Sequence, residues 1–202
     1  MTAPVSKGLV PASLRTARLR LRPWAAEDAP ALLPLLEANQ AHLGPWIPAH
    51  VSAPVPLSAL AARLAGFTDD FAAGRAFRYA LLAPDGMRLL GEADLFPRSA
   101  TGRVPLSDAD RVEIGYWLDA AATGQGLATE AARALLDVAA MLPGVTRGEI
   151  RCDAANAPSA AVPRRLGFTL ADTILDQSVV PGEPPVSLQI WTCPLDRGAS
   201  RD

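Results

Sequence analysis

Residues 112–130 read VEIGYWLDAAATGQGLATE, and two periodicities meet inside them. Val112, Ile114, Tyr116 and Leu118 alternate with Glu113, Gly115 and Trp117, the period of two that predicts a strand over 111–118. Downstream, Leu127, Ala131, Leu135, Val138 and Leu142 recur at helical spacing and predict a helix over 126–142. Gly124 and Gly126 stand between the two. A helix start presents backbone N–H groups without intrahelical partners and the positive end of the helix dipole. Glycine lets the chain come close to a ligand and adopt positive φ. The loop therefore reads either as a plain strand-to-helix turn or as a seat for a phosphate, with the Thr123 and Thr129 hydroxyls as further donors. It holds no lysine and lacks the third glycine and downstream acid of a dinucleotide site. A seat made of amides suits a pyrophosphate that is held and not cleaved.

Outward from this stretch, RLRLRPW (18–24) alternates as a strand with Leu19 and Leu21 on one face. A helix is expected over 26–39, which Pro34 should kink or split. The proline-rich run 41–57 reads as an irregular loop, and 57–74 as a second helical region. Strands over 76–83 and 87–96 form a hairpin about the turn at 84–86, followed by an exposed connection over 97–110. Beyond the central helix come a strand at 147–154, a short helix at 157–166 interrupted by Pro163, and strands at 167–175 and 185–195. Residues 1–13 read as a flexible arm, 14–195 as one domain and 196–202 as a tail.

The chain of 202 residues suits a single domain, and 19 Lys+Arg against 21 Asp+Glu leave no basic footprint for nucleic acid. Cys152 and Cys193 make neither a disulfide framework nor a CxxC pair, and His42 and His50 stand alone, so no metal is expected. The first residues, MTAPVSKGLVPASL, lack the apolar core of a signal peptide, and no run approaches a membrane span. The expected setting is the cytoplasm.

EIGYWLDAAATGQGLATEA (113–131) resembles the acyl-CoA-binding signature of the GNAT superfamily of N-acetyltransferases. NAPSAAVPRRLGF (156–168) resembles its second motif. RLRLRPWAAEDAPALLPLL (18–36) and HLGPWIP (42–48) are similar to the N-terminal part of its ribosomal-protein N-terminal acetyltransferase branch. The resemblance implies a mixed α/β fold: a central, mostly antiparallel twisted sheet flanked by helices, in which the parallel strands 111–118 and 147–154 splay apart. It implies acetyl-CoA as cosubstrate, with its pantetheine arm in the gap. The amides of Gly124, Gln125, Gly126, Leu127 and Ala128 would hold the pyrophosphate, and the backbone at Leu118 and the Asn156 side chain would meet the pantetheine. Two departures stand out: Ala121 occupies a position often held by Gln or Arg, and Pro163 lies near the place where many relatives carry a tyrosine acid. Ser159 then becomes the candidate donor to the leaving thiolate.

Acetyl transfer to an amine needs a neutral amine and a proton for the thiolate. Glu113 is the first candidate for the base, with Glu92 or a water chain behind it; pairing with an arginine is the alternative role of Glu113. Ser159 has a second reading as a helix-start residue. Trp24 and Trp46 either line an acceptor pocket or belong to the core, Glu130 is expected to pair with Arg133, and Cys152 reads as a buried small side chain. The expected activity is direct transfer in a ternary complex to a protein N-terminus or a small amine. A non-catalytic acyl-CoA sensor and a transferase of a larger acyl group such as succinyl are the alternatives. A homodimer is expected by analogy only.

Overall fold

Two apolar faces of one sheet carry the molecule, and the alternation along 112–118 assigns residues to each. The computed structural model describes residues 9–195. Among them the strands are β1 (Leu14–Arg15), β2 (Arg20–Pro23), β3 (Phe77–Leu82), β4 (Leu89–Ser99), β5 (Gly102–Arg103), β6 (Arg111–Leu118), β7 (Arg147–Asp153), β8 (Thr169–Asp176) and β9 (Val186–Pro194). The helices are α1 (Ala29–Ala38), α2 (Gln40–Leu43), α3 (Ala49–Ser52), α4 (Leu57–Ala72), α5 (Leu127–Ala140) and α6 (Ala157–Arg165). The strands form one sheet in the order β1-β2-β3-β4-β6-β7-β9-β8, with β5 paired to β4. Every pairing is antiparallel except β6 with β7.

On one face, Val112 and Ile114 of β6 pack with Leu127, Ala131, Leu135 and Val138 of α5 and with Leu81 and Leu95 of the β3–β4 hairpin. Leu135 is fully buried; truncating such a side chain costs about 2–5 kcal/mol. On the other face, Trp117 and Ala80 pack under α1 and α4 through Leu32, Leu36, Leu60 and Leu64. This second cover reaches β6 only at Trp117 and β4 only at Leu89, so the face of β4, β6 and β7 beyond them is left for polar side chains.

The structure corrects several expectations. α1 runs through Pro34 unbroken. The stretch 41–57 is not irregular throughout, because α2 and α3 each close one helical turn within it. The connection 97–110 is partly seated: Leu106 and Ala109 are buried, and Asp110 N donates to Arg98 O. Of the expected arm, residues 9–13 are described; Val10 is buried in the main core and Pro11 O accepts from the Tyr79 hydroxyl. The expected tail lies outside the described residues. No helix among the described residues is long and apolar enough to cross a membrane.

Candidate active site

β6 and β7 pair only at Arg111↔Arg147, Val112↔Gly148 and Glu113↔Glu149. Beyond that point β6 continues to Leu118 and β7 to Asp153 without further pairs between them. The inner edges of both strands thus carry backbone donors and acceptors that lack a ladder, and buried groups of this kind need a partner. At the open end of the gap lies the start of α5. Gly124 and Gly126 have φ of 72° and 77°, and an added Cβ at Gly124 would meet open space. The obstacle to a side chain there is conformational, which is why glycine holds these positions. Arg18 Nη1 donates to Gln125 O at 2.8 Å and fixes the loop from outside. Glu130 belongs to the same brace. It accepts from Thr16 Oγ1, from Arg18 N at 2.8 Å and from Arg18 Nε at 2.6 Å, so its partner is Arg18 and not Arg133. Burial alone would raise the Glu130 carboxyl, but these hydrogen bonds and the Arg18 charge hold it below the usual carboxylate range.

A cavity of about 1080 Å³ runs from this loop through the gap to the α2–α3 segment. Of the residues singled out from the sequence, it is lined by Glu113, Leu118, Thr123, Gly124, Gly126, Leu127, Ala128, Thr129, Asn156 and Ser159. Gln125 is outside this lining; its side chain folds back to Ala121 O at 3.2 Å. Thr123 spends its hydroxyl on Ala120 O at 2.8 Å. Thr129 Oγ1, by contrast, is buried without a protein partner, as a group kept for a ligand would be. An extended chain bearing a diphosphate fits these residues: unpaired strand edges, a free helix start and an orphan hydroxyl follow one another along the cavity.

Asn156, not Ser159, caps α6: its Oδ1 accepts from Ser159 N at 3.1 Å. The helix then passes Pro163 without interruption. Pro163 has no N–H for the Ser159 carbonyl four residues back. The Tyr116 hydroxyl supplies that missing donor at 3.0 Å and also stands 3.3 Å from Ser159 Oγ. Burial pushes the Tyr116 phenol well above its ordinary value, with Ser159 opposing, so it stays a neutral hydroxyl. Cys152 is buried in the same wall, and burial raises its thiol too, against a nucleophilic role. Alternation puts Tyr116 on the apolar face of β6; only the tertiary structure shows where its hydroxyl goes.

The opposite wall is charged. Glu113 is held by Arg98 Nη1 at 2.6 Å, Arg103 Nη2 at 3.6 Å and Arg151 Nε at 3.8 Å. Its carboxylate is arginine-paired, with more partners than the sequence suggested. Glu92 accepts from Trp24 Nε1 at 2.6 Å and from Arg78 Nη1 at 3.1 Å, which seats Trp24 in the core. Asp94, which no local sequence pattern marks, is buried beside them, 3.5 Å from Arg78. Trp46, His42 and His50 line the outer end of the cavity. Burial and the Arg78, Arg63 and Arg103 charges hold the His50 imidazole below its ordinary value. No group of three or more His, Cys, Asp or Glu suited to a metal occurs among the described residues.

A parted parallel pair over a glycine-flanked helix start, opening onto a polar face, defines an acyltransferase that takes its acyl group from a CoA thioester. The chain belongs to the acetyltransferase (GNAT) domain family, whose model matches residues 18–169. YdaF of Bacillus subtilis (strain 168), to which ribosomal N-acetyltransfer is ascribed, is 27% identical over 160 residues, 74% of this chain and 77% of that protein. Among solved structures, the ribosomal L7/L12 α-N-protein acetyltransferase RimL in complex with coenzyme A superposes with a TM-score of 0.75 at 22% identity, covering 93% of this chain and 98% of the other. Mycobacterium smegmatis RimJ in complex with CoA-disulfide gives a TM-score of 0.71 at 25% identity, covering 92% and 84%. The chain is an acetyl-CoA-dependent N-acetyltransferase.

Proposed function

We propose that the acceptor is the α-amino group of a protein N-terminus, of the ribosomal-protein class, acetylated by direct transfer in a ternary complex. The observation that carries this reading is the uncovered polar face of β4, β6 and β7, which meets the gap from the side opposite α5. A chain end has room to enter there beside α2 and α3. The amides at 124–128 and the Thr129 hydroxyl take the diphosphate of acetyl-CoA, and the edges of β6 and β7 with Asn156 take its pantetheine arm. Ser159, braced by Tyr116, donates toward the departing thiolate. Glu113 orders the three arginines of the acceptor face. The site of action is the cytoplasm, where ribosomal proteins are made, and a homodimer is part of the proposal.

Purified enzyme with acetyl-CoA, a panel of ribosomal-protein N-terminal peptides and small amines such as polyamines and an aminoglycoside tests this, read by mass spectrometry. Peptides should be acetylated at the α-nitrogen with kcat/KM at least tenfold above any small amine. Preference for a small amine overturns the acceptor assignment. Tight CoA binding with no thiol release for any amine makes the chain a sensor.

A further inference from the structure

The orphan carboxylate of the acceptor face is Asp94. It is 5% exposed, it lines the cavity, and its Oδ1 has no hydrogen-bond partner. Its strand register places it opposite Gly115. That glycine lies two residues beyond Glu113, the last β6 residue paired to β7, so Asp94 stands at the closed end of the gap. A Cβ on residue 115 would come within 3.3 Å of Asp94 Oδ2, so the glycine leaves free the space beside that oxygen that a side chain would fill. An ion pair built for stability would satisfy both oxygens. Here Arg78 lies closer to Glu92, at 3.1 Å, than to Asp94, at 3.5 Å. A buried carboxylate left short of partners costs stability and persists where chemistry uses it.

We infer that Asp94 is the proton acceptor for the incoming ammonium group, a role that rests on the acetyltransferase reading above. One N–H bond of the ammonium breaks, the proton joins a carboxylate oxygen of Asp94, and the electron pair stays on nitrogen for attack on the thioester carbonyl. The amine's second proton leaves with the thiolate, and Asp94 returns its own to solvent. The charged groups that act on Asp94 are Glu92 on its own strand, Arg78 on β3 and Arg103 on β5; β6 presents the uncharged Gly115. Burial, then the Glu92 charge, pushes the Asp94 carboxyl well above the usual carboxylate range, against the pull of Arg78. A base so tuned takes a proton from an ammonium more readily than an exposed carboxylate does.

The test is kcat against pH for the wild type, Asp94→Asn and Glu92→Gln, with an N-terminal peptide as acceptor and acetyl-CoA affinity measured in parallel. Asp94→Asn should lower kcat about 100-fold, keep acetyl-CoA affinity within about twofold, and abolish the acidic limb of the profile. Glu92→Gln removes a neighbouring negative charge and should move that limb to lower pH. Stability supplies an acceptor-independent readout. A folded-state pKa above the unfolded one means the native protein loses stability as pH rises through that window. Asp94→Asn should therefore melt at the same or a higher temperature than wild type at pH 8. An acidic limb that survives in Asp94→Asn, a kcat within threefold of wild type, or a parallel fall in melting temperature, acetyl-CoA affinity and kcat overturns the assignment. Wild type that binds acetyl-CoA but acetylates no amine overturns the functional reading and this role together, whereas an active wild type with an unaltered variant overturns this role alone.

Discussion

The two walls of the cavity are built on different principles. The wall at residues 123–129 is main chain: two glycines at positive φ and the start of α5, held from outside by Arg18. The facing wall is side chain: Arg78, Glu92, Asp94, Arg98, Glu113 and Arg151, brought together from four strands by sheet register. Apart from the Arg18 brace, everything the first wall needs lies within one short stretch of sequence. The second exists only after residues far apart in the chain have paired, so changes in it should fall on turnover and stability more than on cofactor binding.

The sharpest test of that division is Gly126→Val. A β-branched residue at φ of 77° is strained and crowds the amides; acetyl-CoA affinity should fall about 100-fold, about 2.7 kcal/mol, while the melting curve stays cooperative. Calorimetry showing affinity within threefold of wild type breaks the contrast. Next is Glu113→Gln, which releases three guanidinium groups. We expect about 2 kcal/mol lost in denaturant unfolding with acetyl-CoA binding nearly unchanged; a matching loss of affinity would merge the two walls into one unit. Tyr116→Phe should cost about 1–2 kcal/mol through the unsatisfied Ser159 carbonyl. Pro163→Ala restores the missing N–H to that carbonyl, so a double-mutant cycle should show the pair losing less than the sum of the singles. Strict additivity would detach Tyr116 from the proline. The smallest effect is Glu130→Gln, at about 1 kcal/mol or less. Because the folded-state pKa of Glu130 is depressed, its stabilisation is present above the unfolded carboxylate value and fades as pH falls through the folded one. The gap in melting temperature between variant and wild type should close in acid.

The strand 111–118, the helix 126–142 and the glycine-flanked turn between them were legible because local periodicity and two glycines encode them directly. The splay of β6 from β7 was legible only through family resemblance. Pro163 was misread as a break because its cost is met by a hydroxyl from β6, 47 positions earlier in the chain. Glu130 was assigned to its helical neighbour Arg133, although the competing partner Arg18 arrives from β2's side of the fold. Asp94 passed unnoticed because a lone aspartate in an apolar run carries no signal until Gly115 is seen opposite it. In each case the information lay in a contact between distant parts of the chain, which sequence spacing alone does not record.

The three rungs that join β6 to β7 have a thermodynamic consequence. Past them the molecule carries a seam, with β7, β9 and β8 on one side and the rest of the sheet on the other. A cosubstrate threaded along that seam would suture it, adding RT ln(1 + [L]/Kd) to the unfolding free energy. The resilience of this enzyme would then wax and wane with the cellular supply of its own acetyl donor.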